Sequence, residues 1–122
     1  MDKISELLKS GDMRTDGNAD QVAELVLKDT KRLTELLPCL DHPDSVIRAH
    51  AAHAIEVIAR EKPDLLVVET RRLILRAESD AYPIVRWHMA MALGHMAGKM
   101  KDANLAADAL LGRLKDTSPL VR

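Results

Sequence analysis

Val46-Ile47-Arg48-Ala49-His50-Ala51-Ala52-His53-Ala54-Ile55-Glu56-Val57-Ile58-Ala59 is the stretch on which the architecture of this chain turns. Ile47, Ala51, Ile55 and Ile58 recur at spacings of four, four and three, with Ala54 and Ala59 filling the same face. That is the period of an amphipathic helix, and the run is too long for a buried strand. The stretch returns downstream as Ile84-Val85-Arg86-Trp87-His88-Met89-Ala90-Met91-Ala92-Leu93-Gly94-His95-Met96-Ala97. With Arg48 laid on Arg86, His50 falls on His88, Ala52 on Ala90, Ala54 on Ala92, Ile55 on Leu93 and Ala59 on Ala97. Val85, Met89, Leu93 and Met96 then form the same apolar face in the second copy.

Working outward, the turns repeat as well. Ser79-Asp80-Ala81-Tyr82-Pro83-Ile84-Val85-Arg86 matches Lys115-Asp116-Thr117-Ser118-Pro119-Leu120-Val121-Arg122 without a gap, and Leu40 to Arg48 is a third copy with one extra residue. The period is 38 residues from Arg48 to Arg86 and 36 from Arg86 to Arg122, which marks a repeat array. Each unit reads as two helices. The first carries a Leu-rich run: Leu33, Leu36, Leu37 and Leu40, then Leu73, Ile74 and Leu75, then Leu110, Leu111 and Leu114. A turn with Asp and Pro follows, and the proline suits the start of the second, Ala-rich helix because its missing N–H has no partner to lose there. Pro38 falls inside a first helix and is expected to kink it. Residues 3–9 read as a short helix, Ser10 to Gly17 as a loop, and residues 19–28 as the second helix of a degenerate first unit that caps the stack. The expected division is a cap over 1–28, units over 29–62 and 63–100, and a truncated unit over 101–122.

Composition sets the bounds. At 122 residues, with 47% hydrophobic and 30% charged, the chain fits one folded unit. It has no Phe, one Trp and one Tyr, so its core must be built from Leu, Ile, Val, Met and Ala. Lys and Arg total 18 against 19 Asp and Glu, and that balance argues against duplex nucleic acid or an anionic membrane as partner. The single cysteine, Cys39, excludes an intramolecular disulfide and fits a reducing cytosol. No apolar run approaches a membrane span, and the start, Met1 to Glu6, is too acidic for a secretory signal. A cytoplasmic setting is the expectation.

An Asp-containing turn, a Val-Arg or Ile-Arg start and an Ala-rich second helix together resemble HEAT repeats, over residues 29–122. The Trp/Gly/Tyr signature of tetratricopeptide repeats and the Thr-Pro-Leu-His string of ankyrin repeats are missing. The resemblance implies an all-α fold, a right-handed α-α superhelix of antiparallel helix pairs. It also implies a ladder in which Asp41, Asp80 and Asp116 pair with Arg48, Arg86 and Arg122 to link the turns of adjacent units. A phosphate-binding stripe of those arginines is the competing reading, weakened by the acidic companion that each one has.

The histidines raise the question of a metal. His50 and His53 lie three apart on one helix and His88 is the equivalent of His50, but there is no His-x-x-x-His pair or Cys cluster. HEAT-repeat hydroxylases with a di-iron centre use repeated His-Glu pairs, where this chain has His50-Ala51 and His88-Met89. No metal and no cofactor are expected, and the histidines are expected to be partly exposed. Trp87, Met91 and His95 fall on one stripe beside the core face, and Ala49, His53 and Val57 form the matching stripe of the preceding unit. Such a patch on the second-helix, concave side suits a protein or peptide partner, with His50 and His88 at its margin. The alternative for Trp87 is burial at a seam between units.

Catalysis finds no footing: the chain has no Gly-rich phosphate loop, no nucleophile elbow and no evident carboxylate pair. Cys39 reads as a packing residue, and Arg71, Arg72 and Arg76 fall on an outward-facing first helix. The functional expectation is a non-catalytic interaction module. The contrasting readings are a nucleic-acid binder using Arg48, Arg86, Arg122, Lys99 and Lys101, or part of a HEAT-repeat enzyme. The chain stops at Arg122, where another second helix should begin. Leu110, Leu111, Leu114, Leu120 and Val121 are therefore expected to form an open edge that self-associates or continues into a longer array.

Overall fold

The computed structural model describes residues 3–9, 11–12 and 18–99. Within them the chain forms α1 (Lys3–Leu7), α2 (Ala19–Lys28), α3 (Leu33–Leu36), α4 (Ser45–Glu61), α5 (Thr70–Ser79) and α6 (Pro83–Met96). Turns of 3₁₀ helix occupy Thr30–Arg32, Leu37–Asp41, Pro63–Glu69 and Ala97–Lys99. There is no strand among the described residues.

The helix boundaries follow local chemistry. Asp44 caps α4, its Oδ1 accepting from the Val46 N–H at 2.9 Å, which satisfies one of the unpaired donors of the first turn. The helix stops at Glu61 because Lys62 precedes Pro63, and the proline ring disfavours helical backbone in the residue before it. Pro83 opens α6 at its first position, as the sequence suggests. Pro43 does not open α4. The extra residue of that turn places it ahead of the cap, and Asp44 takes over the role. Pro38 brings no simple kink but a change of helix type: α3 gives way at Leu37 to the 3₁₀ stretch, because proline has no N–H for the α-helical bond.

The helices pack in two rows. α4 lies between α2 and α6, while Leu37–Asp41 packs on α4 and α5 packs on α6. This is an all-α solenoid of helix pairs. The face read from the period is the buried one: Ile47, Ala51, Ala54, Ile55, Ile58 and Ala59 are fully buried, as are Val85, Met89 and Met96, with Leu93 almost so. They belong to one continuous core with Val22, Val26, Leu36, Leu40, Leu66 and Leu73. Burying each large aliphatic side chain stabilises the fold by roughly 1.5–3 kcal/mol. The alanines let α4 and α6 come close. The Leu-rich run of α5 divides by face, with Leu73 buried and Leu75 56% exposed.

The turns are tied by Asp80, whose side chain has no exposed surface. Its Oδ2 accepts from Arg48 Nε at 2.9 Å and from Arg76 Nη1 at 3.2 Å, and its Oδ1 accepts from the Tyr82 N–H at 3.0 Å. Arg48 thus reaches forward to the Asp80 side chain of the next turn, so this rung joins the turns of adjacent units. Asp41 instead stands 3.5 Å from Arg76 Nε, an ion pair without hydrogen-bond geometry. Arg86 donates to the carbonyl oxygen of Asp80 at 2.9 Å, as Arg48 does to that of His42 at 2.8 Å. The two arginines are thus equivalent in how each clasps its own turn. Asp116 and Arg122 lie outside the described residues, as do Lys101, Leu110, Leu111, Leu114, Leu120 and Val121.

Candidate protein-interaction face

Three second helices, α2, α4 and α6, lie side by side, and their outward surface gathers most of the stripe read from the sequence. His53 of α4 stacks on His88 of α6, with ring centroids 4.9 Å apart and planes inclined by 17°. Trp87 lies against His88 in turn, at 4.8 Å and a tilt of 56°. On the other flank, His53 Nε2 is 3.6 Å from Asp20 Oδ1 of α2. A row of rings thus runs across α4 and α6, with a carboxylate from α2 at its end. Met91, 39% exposed, stands one turn beyond Trp87. Trp87 is half-buried, resting on its neighbours without being sealed in a seam.

The residue that organises the row is Glu56, which the sequence reading did not select. Its Oε1 accepts from His88 Nδ1 at 2.7 Å, and its Oε2 lies 3.9 Å from His95 Nε2, too far for a hydrogen bond. Burial by itself raises the Glu56 carboxyl, but the hydrogen bond from His88 and the charges of His88, His53 and His95 outweigh it. Glu56 therefore lies below the usual glutamate range. His95 Nε2 is buried without a hydrogen-bond partner among the described residues. The position equivalent to Glu56 in the next unit is Gly94, so no repeated carboxylate flagged it.

Two histidines depart from the expectation of partial exposure. His88 is 8% exposed, held beneath Trp87 and His53 and bound to Glu56. His50 is 1% exposed and does not belong to the face at all. It points to the N-terminal segment, its Nδ1 2.7 Å from the Leu8 carbonyl oxygen and its Nε2 2.6 Å from that of Asp12. Alignment with His88 misplaced it because a segment with no counterpart in the next unit covers this one.

The described residues hold no group of three or more His, Cys, Asp or Glu side chains arranged for a metal ion. Among them no helix is long and apolar enough to cross a membrane. Cys39 is a buried thiol whose Sγ lies 3.6 Å from the Glu35 carbonyl oxygen.

Stacked helix pairs, Asp-Arg turns and an apolar-aromatic surface on the second helices define an α-helical repeat protein. A family model for HEAT repeats matches residues 33–122, and the chain belongs to the HEAT-repeat family. Neither the curated proteins nor the solved structures include a match to it. HEAT repeats generally serve as scaffolds for protein–protein interaction and are generally non-catalytic.

Proposed function

We propose that this chain is a non-catalytic interaction module that holds a protein or peptide partner against the second-helix face around Trp87, Met91, His53 and His95, with His88 as the floor. The observation that carries this reading is the row Trp87–His88–His53. It presents a half-buried indole and an exposed methionine on rings that are already fixed by stacking and by Glu56. Preordered aromatic and Met side chains lose little freedom on binding, which is where contact hot spots arise. A cytoplasmic setting fits the buried thiol of Cys39.

Two arginines of the nucleic-acid reading, Arg48 and Arg86, are poorly placed for phosphates. Arg48 already serves Asp80 and two backbone carbonyls, and Arg86 serves the Asp80 carbonyl. Self-association through Leu110, Leu111, Leu114, Leu120 and Val121 rests on the sequence alone, and solution mass over a concentration series tests it.

Affinity capture with the full chain tests the main reading. Trp87→Ala with Met91→Ala should lose proteins that the wild type retains, while Leu75→Ala on the opposite row should keep them. Identical captured sets from all three would remove the face from consideration.

A further inference from the structure

His50 holds two carbonyl oxygens at once. Its Nδ1 and Nε2 lie 2.7 and 2.6 Å from the backbone oxygens of Leu8 and Asp12, in surroundings that leave the residue 1% exposed. A carbonyl oxygen only accepts, and a neutral imidazole has a single N–H. The neutral ring can therefore satisfy one of these oxygens while turning a lone pair toward the other at contact distance. The imidazolium donates to both. We propose that His50 is a proton-operated latch: doubly protonated, it fastens residues 4–9 and 11–12 over the end of the helix stack, and loss of one ring proton loosens them.

The segment depends on such a fastening. α1 is five residues long, far below the length at which a helix supports itself. It is held by Ile4 and Leu8, both fully buried, and by the Asn18 side chain, which donates to the Leu7 carbonyl at 3.1 Å. Asn18 itself sits in the left-handed region at φ 66°, as does Gly11 at φ 77°. α1 rests on α2 and α3. Its release would uncover apolar surface at the end of the stack.

The described charged side chains on the surrounding elements are Glu6, Lys9 and Asp12 on the segment, Asp20, Glu24 and Lys28 on α2, and Glu35 on α3, with His53 one turn along α4. Asp20 faces His53 and Glu35 pairs with Arg32. Among the described residues no carboxylate lies within ion-pair distance of His50, so backbone oxygens alone hold its second proton. The ring holds its second proton in acid and gives it up in base, so the latch is closed at lower pH and loosened at higher pH.

Hydrogen exchange of the full chain, followed by mass spectrometry and corrected for the chemical exchange rate, tests this. Protection across residues 4–9 should fall at least about tenfold between pH 5.5 and pH 8, the scale of one lost hydrogen bond to a charged group. His50→Gln, which can gain no proton, should show pH-independent protection of the same peptide. Flat protection in the wild type, or an equal pH response in His50→Gln, overturns the latch. If the variant does not fold, ¹⁵N spectra of the wild-type ring decide. Two protonated nitrogens at pH 5.5 support the latch, and one bare nitrogen under those conditions removes it.

Discussion

Arg48 and Asp80, 32 residues apart, meet across the boundary between two repeats with Nε 2.9 Å from Oδ2, and the carboxylate they share with Arg76 is wholly buried. Removing one partner of a buried pair leaves an uncompensated charge and typically costs about 3–5 kcal/mol. Asp80→Ala should lose about that much in urea unfolding. Asp41→Ala, at a side chain 53% exposed, should lose less than about 1 kcal/mol. Equal losses at the two positions would mean that the cross-boundary contact is not what couples the units.

Acid should weaken the ring row through Glu56. Its carboxyl lies below the usual range, so it binds protons less readily folded than unfolded. Its contribution to stability is therefore complete above the unfolded value and is lost as pH falls through the folded one. Glu56→Gln should be less stable than wild type near neutrality, and the gap should close as pH is lowered from about 5 to 3. Unfolding midpoints measured along that series check the sign, and a gap that widens in acid contradicts it.

Gly94 is a removable weakness in α6. A Cβ built there meets nothing within 4 Å, and its backbone is helical. Gly94→Ala should raise stability by about 0.5–1 kcal/mol through lower unfolded-state entropy. Thermal unfolding of the two proteins measures it.

The two sides of a helix should differ sharply in tolerance. Ile55→Ala empties a fully buried site and should cost about 2–5 kcal/mol. Leu75→Ser, on the open side of α5, should stay within about 0.5 kcal/mol of wild type. Denaturation of both variants would show whether the core ends where burial says it does.

How much of this was legible in the chain depends on the kind of contact. The helices of the two central units and their inner faces follow from spacing, since Ile47, Ile55 and Ile58 can share a side only at a helical period. Laying one unit on the next put His53 and Trp87 on neighbouring stripes, and the ring of His88 stands between them. What superposition could not supply was anything without a counterpart. Glu56 is matched by a glycine, and His50 is matched by His88 yet covered by a segment that the later unit lacks. Arg76, the second arginine on Asp80, was also out of reach, because its position in the preceding unit holds no arginine and no repeat flagged it.

The buried aspartate also has a geometric consequence. With Arg48 and Arg76 both anchored on Asp80, the two units are clamped at the rim that carries the turns. α6 starts at that rim with Pro83 and runs away from it. Any change in the twist between the units would therefore displace Trp87 least, Met91 more and His95 most. Such a change would alter the spacing across the face while leaving the clamp intact.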